Sequence, residues 1–373
     1  MSKIRVAVVG VGNCASSLIQ GISYYRHRNE TDVPGVMYPS IGGYDSHDIE
    51  VVAAFDVDER KVGKPLAEAI FAKPNNTRAF HTDIDDDVTV DMGMPLDGIA
   101  GHMDNYHDEV NFKLKDCPHA DVTRILKDRK VDLVINYLPV GSQKATEFYV
   151  NASLQAKVAF LNCIPVFIAS DPKWEKRFVD AKLPIIGDDM KSQFGASILS
   201  QVIQETLFNR GHTVEFHQQL NVGGNTDFAN MMDQSRLSSK KESKENVIRC
   251  QNDIRGIPVP KDGIYAGPSS FVPYLKDNKV AYVKVLAHGF GGAPVELDCK
   301  LSVQDSPNSA GVVIDAIRFL KVAKEMGVVG SLRGPSAWTQ KTPPKQMTIE
   351  DAKLECDMLA NRDFSELTEK QVA

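Results

Sequence analysis

The sequence has few of the features that mark disulfide-stabilised or zinc-binding proteins. Its six cysteines are scattered along 373 residues without a CxxC pair, and its nine histidines form no HExxH or His-x-His pair. Scattered thiols of this kind are typical of proteins in a reducing compartment. We therefore expect free cysteines and a cytoplasmic location, and neither residue type indicates a metal site.

Long apolar runs and an excess of positive charge are also absent. No apolar run approaches the roughly 18 residues that a membrane-spanning helix needs, and the net charge of −6 argues against nucleic-acid binding. The first residues, MSKIRVAVVGVGN, have too short an apolar stretch for a signal peptide and end in glycines. We expect an ordinary globular protein, long enough for two domains, that binds neither membrane nor nucleic acid.

A dinucleotide-binding fingerprint follows the first apolar run. Residues 4–9 predict a short β-strand, and the next six residues form a G-x-G-x-x-A sequence that leads into a predicted helix. The first glycine permits a tight turn, the second lets the backbone approach a pyrophosphate, and the helix N-terminus favours anions. The alternative is a purely structural glycine turn. We interpret the following residues as cofactor contacts: Gly10, Gly12, Asn13, Cys14, Ala15 and Ser16.

The acid that should recognise the cofactor ribose is Asp56, at the end of a predicted strand over residues 51–55. A carboxylate there binds the ribose hydroxyls and favours NAD over NADP. A polar insertion, residues 24–49, makes the spacing from the glycines longer than the usual ~20 residues. The alternative is that Asp56 only caps a helix predicted over residues 58–72.

Strands and helices alternate in the first half of the chain. Strands are predicted over residues 131–137, 158–163 and 184–186, and helices over residues 142–155 and 172–181, whereas residues 75–120 show little periodicity and are predicted as loops and short elements. This alternation predicts an α/β fold with a doubly wound, Rossmann-type parallel sheet. Tyr137, Asp188 and Asp189 should lie at the carboxyl ends of its strands, around one crevice.

A second domain is predicted after a helix over residues 195–209. Residues 213–222, 281–287 and 295–303 have the alternation of an antiparallel sheet with one covered face. The four prolines of residues 256–273 predict an ordered loop, and residues 305–309 are predicted to cap a helix over 310–326. We therefore divide the chain into a cofactor domain, 1–196 plus 305–373, and an inserted α+β catalytic and oligomerisation domain, 197–304.

The stretch of residues 221–244 carries the most distinctive chemistry. After a glycine pair it places Asn225 and Asp227, and then Lys240 and Lys244 in a helix-like segment. Lysines four residues apart project from the same face of a helix. Their ammoniums repel each other, so an anion such as a phosphate or an enolate should lie between them. The alternative is an ordinary solvated charged face.

Taken together, these motifs resemble those of one enzyme family. The segments are VGVGNCASSLIQG, AAFDVD, NYLPVGS, FIASDP, GDDMKSQFGAS, LNVGGNTDF, SKKESK and DSPNSAGVVIDAIR, in this order along nearly the whole chain. The sequence is similar to myo-inositol-3-phosphate synthases of the bacterial and archaeal type. The resemblance implies cyclisation of D-glucose 6-phosphate to 1D-myo-inositol 3-phosphate with a retained NAD, the first step of inositol biosynthesis.

The resemblance also implies roles for individual residues. Lys240 would be the general acid or base at O5 and Asp227 would hold it, while the other lysines would bind the phosphate and polarise the carbonyls. Ser192 would contact phosphate or cofactor, Asn225 the substrate, and Tyr149 the cofactor side unless it packs in the core. The implied catalytic set is Lys240, Lys244, Lys284, Lys341, Asp227, Asp189 and Asp305, and the implied cofactor set adds Asp56, Tyr137, Tyr149, Asp188 and Ser192 to the glycine turn.

Three further expectations concern cations, assembly and alternatives. The family is described with ammonium or divalent-cation requirements, and Asp188, Asp189 and Asp305 could contribute ligands. The inserted sheet is too small to cover both its faces from within residues 197–304, and family members are tetramers, so we expect a homotetramer with a second subunit over the other face. The alternatives are a simple NAD-dependent oxidoreductase of homoserine-dehydrogenase-like architecture and a non-catalytic NAD-binding sensor.

Overall fold

The computed structural model describes residues 3–26, 34–85, 88–233, 238–260 and 262–363. Residues 27–33 of the predicted insertion and residues 234–237 before Lys240 lie outside this description. Within the described ranges, no helix combines the length and the apolar character that crossing a bilayer requires. The cytoplasmic location stays a prediction.

A seven-stranded parallel sheet forms the larger part of the molecule. Its strands run in the order β13-β8-β7-β6-β1-β4-β5, and every neighbouring pair is parallel. The chain leaves β1 toward β4 and β5, then returns to β6 on the other side, which confirms the predicted doubly wound topology. The strands are β1 (Ile4–Val9), β4 (Ile49–Asp56), β5 (Val90–Met92), β6 (Leu133–Asn136), β7 (Ala159–Asn162), β8 (Pro184–Ile186) and β13 (Gly330–Ser331).

Helices cover both faces of this sheet, so the strands are apolar on both sides. On β1, Val6 and Val8 belong to one apolar core while Ala7 and Val9 belong to the other. The first core is completed by α1 (Asn13–Arg26) and α9 (Asp305–Glu325), and the second by α3 (Val122–Asp128), α4 (Gln143–Ala156) and α5 (Pro172–Ala181). Asp171 caps α5 through the amide of Lys173, as the Ser-Asp-Pro sequence predicts.

The helix predicted over residues 58–72 is wrong in extent. One short helix, α2 (Leu66–Ala69), occupies part of it, and turns precede it. Gly63 adopts a positive φ of 84° and Pro65 immediately precedes the helix, so neither residue continues a helix from Asp58. The Asp58 carboxylate instead accepts hydrogen bonds from the amides of Arg60 and Lys113, which fixes a turn.

The second sheet has four strands in the order β10-β9-β11-β12. They are β9 (Thr213–Gly223), β10 (Ile264–Phe271), β11 (Asn278–His288) and β12 (Pro294–Gln304). The pairs β9–β11 and β11–β12 are antiparallel as predicted, but β10 pairs parallel to β9. The proline-rich stretch predicted as a loop is therefore partly an edge strand. Pro268 is tolerated there because it lies at the edge, beside an irregularity in the register.

One face of this second sheet is covered and the other is open in the single chain. Val283, Val285 and Ala287 on β11 pack against Leu199 and Ile203 of α6. Tyr282 lies on the opposite face with 48% of its surface exposed. The helices of this region are α6 (Ala196–Asn209), α7 (Thr226–Asn230) and α8 (Ser238–Ile254). The single covered face agrees with the prediction.

After β12 the chain returns to the larger sheet. The residues predicted to cap the next helix already belong to it, because α9 begins at Asp305. This helix packs against α1 and against α10 (Arg333–Thr339) and α11 (Ile349–Ala360), and β13 adds the last strand beside β8. The strands β2 (Ser40–Ile41) and β3 (Tyr44–Asp45) form a small separate hairpin. The domain division at 196/197 and 304/305 stays a prediction.

Candidate active site

A single cavity joins the carboxyl ends of the parallel strands to the second sheet. Residues that follow five strands of the large sheet line one side of it: Gly12, Asp56, Tyr137, Cys163 and Asp189. Residues of β9, β11 and α8 line the other side: Gln219, Asn221, Lys279, Lys240 and Lys244. The crevice predicted at the strand ends is therefore present, and the second sheet and α8 together close it with lysines.

The glycine turn fits a dinucleotide. Gly10 has a φ of 87°, and a Cβ atom at this position would lie 2.7 Å from the carbonyl oxygen of Tyr137, so a side chain cannot be accommodated. A Cβ atom on Gly12 would meet no heavy atom within 4 Å and would project into the open space beside the turn. The backbone at Gly12 is thus bare where a pyrophosphate would approach the N-terminus of α1.

The other fingerprint residues have different surroundings. Asn13 and Cys14 line the cavity, and Asn13 Oδ1 also accepts hydrogen bonds from the amides of Asn76 and Thr77. Ala15 and Ser16 are buried and do not line the cavity. These two residues therefore support the turn from behind and are not placed to contact the cofactor directly.

Asp56 lines the cavity and is held firmly at the end of β4. Its Oδ2 accepts a hydrogen bond of 2.7 Å from the amide of Val11, and its Oδ1 accepts from the amides of Val57 and Asp58 at 2.7 and 2.9 Å. The carboxylate is thus tied to the glycine turn as well as to its own strand end. It does not cap a helix from residue 58, because the structure has none there.

Asp189 is the centre of the lysine cluster. Its Oδ1 accepts from Lys240 Nζ at 3.1 Å and from Lys341 Nζ at 2.9 Å, and its Oδ2 accepts from Ser243 Oγ at 2.7 Å. Burial alone would raise the pKa of Asp189, but the two ammoniums and these hydrogen bonds outweigh it and lower the pKa to about 2. The carboxylate is therefore ionised at neutral pH and holds two lysines side by side.

Burial and neighbouring charges give the lysines of the cavity different proton affinities. Burial would lower the pKa of Lys240, but the nearby carboxylates, Asp189 first, outweigh it and raise the pKa. Burial lowers the pKa of Lys341 to about 8, although it contacts the same carboxylate. For Lys244, burial and then the neighbouring ammoniums lower the pKa well below its ordinary value. The cavity thus holds an ammonium beside lysines that can exist as amines.

Lys279 completes the set through its partner. It forms an ion pair with Asp305, the first residue of α9, and both line the cavity. Lys244, in contrast, has no ion pair with a carboxylate of the described residues, although its side chain is buried. Burial without a protein counter-ion favours the neutral amine of Lys244, which can accept a proton and, once protonated, pair with a ligand anion.

Lys284, which was predicted as a catalytic lysine, does not line the cavity. Lys284 pairs with Glu296 and lies 3.6 Å from Asp298, on the open face of the second sheet. Lys279 of the same strand lines the cavity instead. The two lysines are an odd number of residues apart, and side chains alternate between the faces of a strand. Val283 and Val285 pack in the core, so the lysine between them had to face outward.

The partner predicted for Lys240 is also different. Asp189 contacts Lys240, whereas Asp227 lies in the same cavity without an ion pair to a lysine of the described residues. The prediction placed Asp227 there on the strength of the resemblance alone. Asn225 and Ser192 also line the cavity, and Asn225 caps α7 through the amide of Phe228.

Two residues predicted to bind the cofactor lie elsewhere. Asp188 is buried and accepts hydrogen bonds from the amides of Ile168, Ala169 and Ser170, so it fixes the loop after β7 and does not line the cavity. Tyr149 packs in the apolar core with its ring centroid 6.1 Å from that of Phe55. The core-packing alternative for Tyr149 is therefore the correct one.

No cation site emerges around the predicted contributors. Among the described residues, the one group of His, Cys, Asp and Glu side chains with ligand atoms close enough together is Asp45, His47 and Asp48. This group lies before β4, away from the strand ends that line the cavity. The structure thus does not bring Asp188, Asp189 and Asp305 together as a ligand set.

Sequence comparisons place the chain among known proteins. A profile of the family described as Myo-inositol-1-phosphate synthase matches residues 195–306. The inositol-3-phosphate synthase of Mycolicibacterium smegmatis is 48% identical over 95% of this chain and 97% of its own length. That of Mycobacterium tuberculosis is 46% identical over 95% of each chain.

A solved structure supports the fold independently. The myo-inositol-1-phosphate synthase-related protein of Thermotoga maritima superposes with a TM-score of 0.77, at 22% identity, over 96% of this chain and 98% of that one. At this identity the likeness concerns the fold alone. The near-complete coverage by relatives at almost half identity shows that the chain belongs to the inositol-3-phosphate synthase family.

Proposed function

We propose that this protein cyclises D-glucose 6-phosphate to 1D-myo-inositol 3-phosphate. The observation that carries the proposal is that one cavity contains both a dinucleotide turn and a cluster of four lysines, Lys240, Lys244, Lys279 and Lys341. Oxidation and its reversal require the first feature, and a reaction that repeatedly places negative charge on oxygen requires the second. NAD would supply the hydride acceptor at C5 of the sugar and return the hydride at the end.

The residues that would hold NAD are those of the cavity's first side. The bare backbone at Gly12 and the N-terminus of α1 suit the pyrophosphate, and Asp56 at the end of β4 suits the ribose hydroxyls. Tyr137 lines the same region, and its hydroxyl is buried without a hydrogen-bond partner among the described residues. A buried orphan hydroxyl fits a contact with a bound ligand.

The lysines would manage charge and protons on the sugar. Oxidation at C5 makes the C6 hydrogens acidic, an enolate forms, and C6 attacks the C1 aldehyde to close the ring. Lys240, which Asp189 keeps ionised, stabilises negative charge on O5. Lys244, one turn further along α8, has the depressed pKa of an amine that can accept a proton. Lys279 and Lys341 supply further positive charge for the phosphate and the second carbonyl.

The two alternatives differ in what they require. A simple oxidoreductase would need a cavity for a second substrate but no cluster of four lysines, and a sensor would need neither acid nor base. The lysine cluster around Asp189 therefore favours the cyclisation chemistry over both. Near-complete similarity to inositol-3-phosphate synthases favours it as well. We retain the homotetramer as part of the proposal.

The test is a product assay with the purified protein, glucose 6-phosphate and NAD. We expect an inositol phosphate that chiral chromatography identifies as 1D-myo-inositol 3-phosphate. The absorbance spectrum should show no net formation of reduced cofactor. As a control, protein from which bound cofactor has been removed should form no inositol phosphate when NAD is left out of the reaction. Reduced cofactor formed in proportion to sugar consumed would identify a simple dehydrogenase instead.

A further inference from the structure

Lys61 is a buried lysine that the proposed sugar chemistry does not use. It lies in the turn between β4 and α2, and 1% of its surface is exposed. Its ammonium donates hydrogen bonds to the carbonyl of Val11 at 2.8 Å and to Asn75 Oδ1 at 2.9 Å. It also lies 3.9 Å from Asp56 Oδ2. Burying an ammonium costs free energy unless the group is hydrogen-bonded and paired with an opposite charge.

Those contacts converge on the middle residue of the glycine turn. Val11 donates its N–H to Asp56, and its carbonyl accepts from both Lys61 and Asn75. Asn75 Nδ2 also donates to the carbonyl of Ile70, which anchors it in turn. Both polar backbone groups of Val11 are thus hydrogen-bonded, the N–H to a carboxylate and the carbonyl to an ammonium and an amide. Asp56, Lys61 and Asn75 all line the cavity beside Gly12.

We propose that Lys61 positions the dinucleotide turn and, beside Asp56, holds a positive charge that binds the 2′-phosphate of NADP once the Asp56 charge is removed. This inference rests on the proposed use of a dinucleotide. The pair brings one positive and one negative charge to the ribose end of the cavity. The hydrogen bonds of Lys61 to Val11 and Asn75 hold its charge in place, while Asp56 remains available to ribose hydroxyls.

The selectivity follows from the charge balance of the pair. The 2′-phosphate of NADP adds about two negative charges, and the Asp56 carboxylate repels them. If Asp56 lost its charge while Lys61 kept its own, the same region would become cationic and would attract the phosphate. When Asp56 is uncharged, the Lys61 ammonium should therefore attract the 2′-phosphate and strengthen the binding of NADP. Without Lys61, removal of the Asp56 charge should relieve repulsion and supply no attraction.

Binding of NAD and NADP to the purified, cofactor-free protein, measured by calorimetry, tests this without any turnover. Asp56→Asn should strengthen NADP binding by about tenfold or more, since a close charge contact is removed and an opposite one is exposed. Asp56→Asn combined with Lys61→Gln should lose most of that gain, because glutamine can still donate to Val11 but carries no charge. Lys61→Met alone should weaken NAD binding by about tenfold through loss of the hydrogen bond that orders the turn.

Lys64→Met is the matched control, because this exposed lysine is near in sequence and does not line the cavity. Its affinities for both dinucleotides should equal those of the wild type. Thermal melting shows which variants fold, and the comparison of Asp56→Asn with the double variant carries the test if Lys61→Met does not fold. Equal NADP binding by Asp56→Asn and the double variant would overturn the role of Lys61. A wild type that binds neither dinucleotide would overturn the proposed function as well.

Discussion

At the scale of single residues, the main feature of the cavity is that two lysines share the carboxylate of Asp189. Lys240 and Lys341 both donate to Asp189 Oδ1, and Ser243 donates to the other oxygen. One carboxylate cannot fully balance two ammoniums, which is why burial prevails at Lys341 and lowers its pKa to about 8. The arrangement therefore carries excess positive charge that an anionic sugar phosphate can satisfy.

The first prediction at this scale is that Lys240→Met abolishes most of the turnover. The variant keeps much of the length of the side chain and removes the ammonium that we propose stabilises charge on O5. We expect a loss on the order of 10³-fold, the size typical of a positioned acid–base or oxyanion group. NAD binding should change little, because the glycine turn contacts other residues. The melting temperature should fall moderately, since Lys341 and Ser243 still hold Asp189.

Lys241→Met provides the control on the same helix. The Lys241 side chain is 55% exposed and lies 3.9 Å from Glu245, a surface ion pair worth about 1 kcal/mol at most. Its turnover and stability should match the wild type, measured as inositol phosphate formed per unit time and as thermal melting. Full activity in both variants would mean that the Lys240 ammonium takes no part in the reaction.

At the scale of elements, helix α9 organises the first core and one of its neighbouring loops. Arg318 and Asp315 form an ion pair on α9 with both side chains fully buried. Arg318 also donates to the backbone carbonyls of Tyr38, Pro39 and Tyr44, and Asp315 accepts from the amide of Met37. This buried pair thus helps to hold the described part of the insertion against α9.

We expect Arg318→Met to destabilise the protein by about 3–5 kcal/mol, because it leaves a buried carboxylate unpaired. Three carbonyl groups would also lose a donor, so the double variant with Asp315→Asn should recover only part of the loss. The measurement is the free energy of unfolding in urea. Arg362→Met is the control, since Arg362 contacts the same loop at Gly42 but is exposed. Equal effects of the two arginine variants would disprove the anchoring role.

The elements also show what a sequence can and cannot predict. The glycine turn, the parallel strands and the cap of α5 were predictable because each depends on local chemistry or a simple period. Strand β10 was not, because its prolines obey the rule for edges and bulges, and the position of a strand in a sheet is not a local property. The parallel pairing of β10 with β9 is likewise set by the connection between them.

The same limit applies to the site. The lysines of α8 were recognisable from their spacing, but Asp189, the partner of Lys240, arrives from a distant strand end. The sequence analysis named Lys284 and missed Lys279, which lies on the opposite face of the same strand and lines the cavity. No sequence motif indicated Lys61, because its proposed role depends on contacts with Val11 and Asn75 across the turn. Contacts between distant segments were the information that the sequence alone could not supply.

At the scale of the whole molecule, a buried acid links the two sheets around the cavity. Asp277, just before β11, accepts hydrogen bonds from Thr77 of the first part of the chain, from Asn225 before α7, and from Ser306 of α9. Its carboxylate therefore ties three segments together beside the lysine cluster. The cavity is accordingly a product of both sheets, and neither sheet contains a complete site by itself.

The open face of the second sheet leads to the last prediction, which is that the protein is a homotetramer. Tyr282 is 48% exposed on this face, Phe290 is fully exposed at the turn after β11, and β12 is an edge strand of the four-stranded sheet. Exposed aromatic residues and a long free edge are what a second copy would cover. Stable contacts of this kind bury on the order of 1,000 Å² or more.

We expect light scattering at micromolar concentration to give four times the mass of the single chain. Tyr282→Glu combined with Phe290→Glu should shift the protein to smaller species, because burying the new carboxylates in an interface is costly. Leu354→Glu is the control: Leu354 is also exposed but lies on α11, which packs against α9 and α10. A monomeric wild type would exclude the tetramer. A tetramer that tolerates both glutamates would show that its subunits meet elsewhere and that the open sheet face stays in contact with water.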